Sequence, residues 1–266
     1  MTVLLHRLFA ILAVALLLAP PVALSFGALP DIRYKLKPAD GNRIDPLLGN
    51  GRIVRGGEAP GKIAFTFDDG PDHRTTPVLL DQLDRWGVKG TFFVNGHRFQ
   101  ERTAGAEENR AVLRDIHRRG HFIGTHTFSH ADITALDDAG WKQEVTQVAR
   151  QVEEITGRLP RLFRPPFGRV DDGTAERLRT EGYTVVMWNL DPLDWKSTTA
   201  GELLSRAQQV VEENPGGGIF LFHDTNRVTT RALPLILEWL AERNARRAAR
   251  GEPGLELSGI DAFIHR

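Results

Sequence analysis

Two carboxylates stand side by side in Thr66-Phe67-Asp68-Asp69-Gly70-Pro71, at the end of an apolar, β-type run. Two imidazoles four residues apart follow well downstream, in His126-Thr127-Phe128-Ser129-His130. One carboxylate and two imidazoles make a three-donor set for a catalytic divalent cation, with one coordination position left open. A second carboxylate beside that set is a base waiting for water. The chemistry this predicts is hydrolysis. Two carboxylates in contact resist both being ionised, and a bound cation relieves that repulsion. Residue type alone leaves open which Asp is ligand and which is base. Asp-Asp-Gly-Pro also reads as a strand-ending turn. A His pair at i, i+4 can chelate from one helical face, although packed or surface histidines show the same spacing.

Three further clusters follow in order. Phe163-Arg164-Pro165-Pro166-Phe167-Gly168 carries two prolines that stiffen the backbone after a strand. Such a loop can present a main-chain N–H to an oxyanion, and only Phe167 or Gly168 has one to offer. Arg164 can steady a neighbouring carboxylate with a forked hydrogen bond. Trp188-Asn189-Leu190-Asp191-Pro192-Leu193-Asp194-Trp195 sets aromatic rings beside carboxylates, a combination that suits sugars. Trp188 is expected in the core and Trp195 in a groove. Leu221-Phe222-His223-Asp224 ends an apolar run on an imidazole, with Leu221 a candidate substrate contact. Paired with a carboxylate such as Asp194, His223 holds a proton near neutral pH and can protonate a leaving amine.

The elements that must position these residues alternate. β-type runs begin at Ile63, Gly90, His121, Arg161, Thr184 and Gly218, and each precedes a stretch with helix-spaced apolar residues. Examples of those helices are Pro77–Trp86, Ala111–Ile116 and the series Trp141, Val145, Val148, Val152, Ile155. Leu255–Ile264 is read as a last strand. Repeated β-then-α units imply a parallel sheet covered by helices, and about seven such units fit a (β/α) barrel. Asp68, Asp69, Asn95, His126, Arg164, Asp191, Asp194 and His223 all fall at expected strand ends. That is where parallel α/β folds place their active sites.

Composition agrees with a globular enzyme. The 266 residues are 41% hydrophobic and 26% charged, with 34 Lys+Arg against 34 Asp+Glu. No global basic field exists to hold nucleic acid. The late arginines Arg243, Arg246, Arg247 and Arg250 read as a solvated helix face. Cysteine is absent, so thiol catalysis, disulfides and cysteine-ligated zinc are excluded, and any metal rests on His and carboxylate. His6 and Arg7 precede the apolar run Leu8–Ala19, then Pro20-Pro21 and small residues to Ser25. This pattern reads as an export signal over residues 1–25, or an uncleaved anchor, and places the remaining chain outside the cytoplasm. The anchor is the expected route to a membrane. Residues 26–61 read as a loop-rich lead-in, and 62–266 as a single catalytic domain.

Taken in order, the five clusters resemble the polysaccharide deacetylase family, carbohydrate esterase family 4, also called the NodB-homology domain. The resemblance runs from about Lys62 to Trp239 and includes Phe92-Phe93-Val94-Asn95-Gly96. It implies a distorted, incomplete (β/α) barrel. It also divides the Asp pair, with Asp68 as general base and Asp69 as metal ligand beside His126 and His130. Arg164 then braces the base, the Phe167 N–H serves the oxyanion, and His223 is the general acid oriented by Asp194. Phe167 stands where many members carry Tyr, which keeps the backbone donor and removes a hydroxyl contact to substrate. The implied activity is removal of N-acetyl groups from an amino-sugar polymer, with zinc as cofactor or cobalt, manganese or nickel in its place. An O-acetyl esterase, a non-sugar amide hydrolase and a non-catalytic glycan-binding envelope protein are the alternatives.

Overall fold

A computed structural model describes residues 51–264. The export signal and lead-in residues 26–50 lie outside the described residues. Eight strands alternate with helices: β1 (Ile53–Val54), β2 (Lys62–Gly70), β3 (Thr91–Val94), β4 (Phe122–Thr125), β5 (Leu162–Phe163), β6 (Thr184–Val186), β7 (Gly217–His223) and β8 (Glu256–Leu257). The helices are α1 (Thr76–Arg85), α2 (Ala106–Arg118), α3 (Asp138–Trp141), α4 (Gln147–Thr156), α5 (Asp172–Thr180), α6 (Ala200–Glu213), α7 (Arg227–Ala248) and α8 (Asp261–Ile264). A π-helical turn, Lys142–Thr146, joins α3 to α4.

Seven strands run in the spatial order β1-β6-β5-β4-β3-β2-β7, every pairing parallel, and β8 sits on the early edge of β2 before β3 takes it over. This is the expected incomplete barrel. Its seam is narrowed by Leu190, which bridges Phe220 beyond the end of β6. β2 is the central strand, paired with β7 along Lys62–Asp68 and with β3 from Thr66 onward. Burial on both faces explains why β2 and β7 read as continuous apolar runs. Phe65, Phe67, Phe92, Phe220 and Phe222 stack against one another in the core under them. Each such ring contributes roughly 2–3 kcal/mol of apolar burial.

The helices start where their sequences cap them. Pro77 opens the first turn of α1, where a missing N–H costs nothing. Asp171, Thr199 and Asn226 accept backbone N–H bonds at the starts of α5, α6 and α7. Two expectations change. Leu255–Ile264 contributes only the two-residue β8 and then turns into α8; Gly259, between them, packs against Phe122 and Asp261 with no room for a side chain. Arg243 is buried and donates to Glu212 at 2.8 Å, while Arg246, Arg247 and Arg250 keep to the solvated side.

Candidate active site

The carboxyl ends of β2, β4, β5, β6 and β7 deliver the chemistry. Strand register shifts between Asp68 and Gly70, and Asp69 adopts a left-handed backbone with φ 74°. The two adjacent carboxylates therefore part company. Asp68 is buried, and Arg164 Nη1 donates to its Oδ1 at 2.9 Å. Asp69 turns toward the imidazoles, with Oδ1 3.8 Å from both His126 Nε2 and His130 Nε2.

The expected helical face for the His pair is absent. His126 follows β4 directly, and the segment to His130 is a loop with left-handed residues at Thr127 (φ 63°) and His130 (φ 64°). These two bends bring the rings to 4.9 Å between centroids. Left-handed conformations in non-glycine residues cost on the order of 1–3 kcal/mol each and cluster at functional sites. Asn95 holds the loop from below, its Nδ2 donating to the carbonyls of His126 and Thr127. The His126 Nδ1 lies 2.7 Å from the Arg164 carbonyl, which makes Nδ1 the protonated nitrogen and leaves Nε2 with a free lone pair. Burial pulls the His126 pKa down against the pull of Asp68 and Asp69.

Asp69, His126 and His130 each offer one ligand atom within 4.8 Å of the others. The Asp69 Oδ1 is buried with no hydrogen-bond partner. An orphaned carboxylate oxygen beside two imidazole nitrogens is a donor set that fits a divalent cation, and it would be costly without one.

Arg164 is fully buried and spends every branch of its guanidinium. Besides Asp68, Nη1 reaches Thr66 Oγ1 at 2.7 Å, Nε the Val186 carbonyl at 2.9 Å and Nη2 the Met187 carbonyl at 3.1 Å. The bond to Asp68 is thus single, not forked as expected, because two branches are committed to the end of β6. Phe163 and Phe167 flank this arginine in sequence and diverge in fate. Phe163 is core, while Phe167, at φ 61°, is 61% exposed with its ring edge-on to His130 at 4.6 Å. Gly168 donates its amide to the Pro165 carbonyl, so of the two expected oxyanion donors Phe167 remains the candidate.

His223 ends β7 opposite Asp68. Asp194, buried, accepts from the His223 amide at 2.7 Å and lies 2.7 Å from its Nδ1. Thr229 Oγ1 donates to the same carboxylate at 2.6 Å. Burial alone would lower the His223 pKa. The Asp194 hydrogen bond and charge, with the charges of Asp68 and Asp69, outweigh it and push the imidazole up to about 9. Leu221 is buried two residues back on the same strand, and Trp195 is 59% exposed with the Lys196 ammonium over its ring. Trp188 is half-buried, with the Arg164 guanidinium 5.4 Å from its ring centre. Asp191 is half-buried and accepts from the Leu193 amide, and burial raises its pKa.

Several participants carried no signal in the sequence. Thr66 anchors Arg164, Thr229 anchors Asp194, and Arg98 Nε donates to the Asp69 carbonyl at 3.0 Å. Their partners lie 29 to 98 residues away, so no local spacing reports them.

Comparison with known proteins places this geometry. The family model described as polysaccharide deacetylase matches residues 55–186. A peptidoglycan-N-acetylglucosamine deacetylase from Bacillus cereus is 32% identical over 182 residues, covering 68% of this chain and 80% of that protein. Other curated relatives are longer. The chain spans 60% of the length of a chitin deacetylase from Pestalotiopsis sp, to which it is 35% identical over 69% of its own residues. The solved chitin deacetylase of Colletotrichum lindemuthianum superposes with a TM-score of 0.68 at 26% identity, over 80% of this chain and 92% of that one. A pseudoenzyme of carbohydrate esterase family 4 from Bacillus anthracis also superposes, with a TM-score of 0.62 at 25% identity, over 71% of this chain and 64% of its own. By sequence, fold and the order of its site residues, the chain belongs to the polysaccharide deacetylase family.

Proposed function

We propose that the protein is a metal-dependent deacetylase that removes N-acetyl groups from an amino-sugar polymer and releases acetate. One observation carries this reading: the Asp69–His126–His130 donor set shares one barrel mouth with a buried Arg164–Asp68 pair and a buried Asp194–His223 pair. A base and an acid, each oriented by a buried partner, are what hydrolysis of an amide needs and what glycan binding alone does not.

A divalent cation held by Asp69 Oδ1 and the two imidazole Nε2 atoms would supply Lewis-acid activation of water and of the acetyl carbonyl. The donor set favours zinc, with cobalt, manganese or nickel as substitutes. Asp68 accepts the proton of the attacking water, and Arg164 keeps its carboxylate in place. The carbonyl oxygen, taking on negative charge as the C–O bond forms, accepts the Phe167 N–H. His223 gives its proton to the sugar nitrogen as the C–N bond breaks, so acetate and a free amine leave. Exposed Phe167 and Trp195 offer apolar faces to the sugar rings. The relatives named for peptidoglycan and chitin support an N-acetylated glycan as substrate, and the N-terminal sequence supports action outside the cytoplasm.

The test is acetate release by zinc-loaded protein from peptidoglycan, chitin oligomers and acetylated xylan. Release from one of the first two is expected. Release from xylan alone would replace the reading with an O-acetyl esterase. No release from any of them, with metal bound, would overturn catalysis on glycans. Within the same assay, His126→Ala loses metal and activity together, and Asp68→Asn keeps metal and loses turnover. Full activity of Asp68→Asn would sink the base assignment.

A further inference from the structure

His126 and His130 are held differently. The His126 ring is buried and fixed through its Nδ1 by the Arg164 carbonyl. The His130 ring is about one-third exposed, and among the described residues no hydrogen bond fixes its Nδ1. Metal-binding imidazoles are normally oriented by a bond to the second nitrogen. His130 takes its orientation from the edge-on Phe167 ring and from its own backbone, which is left-handed at φ 64°. Something has to hold that backbone.

The residue before it shows what does. Ser129 donates its amide to Glu144 Oε2 at 2.8 Å and its hydroxyl to Glu144 Oε1 at 2.8 Å. Ser129 is exposed, yet both its polar groups are engaged by one buried carboxylate. Glu144 lies in the π-helical turn Lys142–Thr146, wound wider than the α3 and α4 segments it joins. Such turns recur at functional sites because one extra residue re-aims a side chain. On the far side of the loop, Asn95 holds the carbonyls of His126 and Thr127, and the His97 amide donates to the Phe128 carbonyl. The loop is gripped at both ends, and Glu144 grips the His130 end.

We propose that Glu144 is a positioning residue for the metal centre: by binding both donors of Ser129 from the π-helical turn, it sets where the His130 imidazole stands relative to Asp69 and His126. The proposal rests on the reading of Asp69, His126 and His130 as metal ligands. A side chain that only supported the fold would change stability and leave metal affinity alone. Glu144 is expected to change affinity in a protein that stays folded.

Titration calorimetry of zinc into metal-stripped protein, with unfolding curves as a folding check, separates these roles. Glu144→Ala weakens zinc binding about tenfold, the low end of the range for direct hydrogen-bond partners of metal ligands, because Glu144 acts through the neighbouring Ser129. Glu144→Gln restores affinity to within about threefold, because its carbonyl oxygen still accepts the Ser129 amide and its NH2 group donates to Ser129 Oγ. Exposed Ser129→Ala removes one of the two bonds and weakens binding about threefold or more. Folded Glu144→Ala with wild-type zinc affinity would overturn the proposal. Should Glu144→Ala not fold, Ser129→Ala decides, and wild-type affinity there would overturn it equally. His130→Ala distinguishes the two levels. If it binds zinc as wild type does, the metal-centre reading itself fails. If it loses zinc while Glu144→Ala does not, only the role of Glu144 falls.

Discussion

Asp194 meets three donors at once: the amide and ring of His223 and the hydroxyl of Thr229. Its charge is one reason the His223 imidazole is pushed up to about 9 despite burial. A shift of that size is worth on the order of 3 kcal/mol. As the proposed acid, His223 must carry a proton to give one, so turnover should persist through neutral pH and fall on the alkaline side as that proton is lost. Asp194→Asn removes the charge, and the alkaline limb of kcat should move to lower pH. A pH–rate profile with an unmoved limb would contradict the pairing. Stability follows the same sign, because the folded pKa lies above the unfolded one. The His223 contribution is complete below about pH 6.5 and is lost as pH rises through about 9. Asp224 acts in the window below. It is fully buried beside Gly70, accepts from Thr76 Oγ1 and has its pKa pushed up to about 7 by burial. A carboxyl raised in the folded state stabilises below about pH 4, and that stability is lost as pH rises to about 7. Asp224→Asn should flatten this part of the curve, seen as a smaller change in urea midpoint between pH 4 and pH 8 than in wild type.

Strand β4 carries His126 to its place, and Gly124 within it leaves no room for growth. A side chain there would meet the Phe93 ring at 2.4 Å and Leu162 at 3.0 Å, the neighbours on β3 and β5. Gly124→Ala should cost about 1–3 kcal/mol by overpacking, measured as a lower urea midpoint. An unchanged midpoint would mean the sheet yields there. Elements of this kind were legible in the sequence. Apolar runs ending in Asp, His or Arg mark buried strands with functional ends, and Ile63–Phe67, Gly218–Phe222 and their helices were readable from that contrast. The His126–His130 spacing was legible as a candidate chelate but not as a loop, since two positive φ angles in Thr127 and His130 leave no trace in residue type. Glu144, Arg98 and Asp224 were not legible at all. A charged residue in a helix or turn looks like any solvated position until the fold supplies its partner, and the π-helical turn that aims Glu144 has no compositional mark. The forked Arg164–Asp68 bond failed for a related reason: the carbonyls that occupy its other branches, those of Val186 and Met187, lie at the end of β6, 22 and 23 residues away.

At the scale of the whole molecule, the described residues pack into three apolar clusters, and none of the candidate metal donors Asp69, His126 and His130 belongs to one. The fold therefore does not depend on the cation as small metal-folded domains do. Chelator treatment should abolish acetate release while the far-UV circular dichroism and cooperative unfolding persist, with a fall in Tm limited to the ligand-binding contribution. Collapse of the structure on chelation would refute this. The left-handed backbones of Asp69, Thr127, His130 and Phe167 add a second consequence. Each is held against its own preference by the surrounding framework, so glycine at any of these positions would relieve the backbone. Glycine at Asp69 or His130 should therefore relieve the backbone while taking away a candidate ligand, so stability and chemistry pull in opposite directions at those two positions.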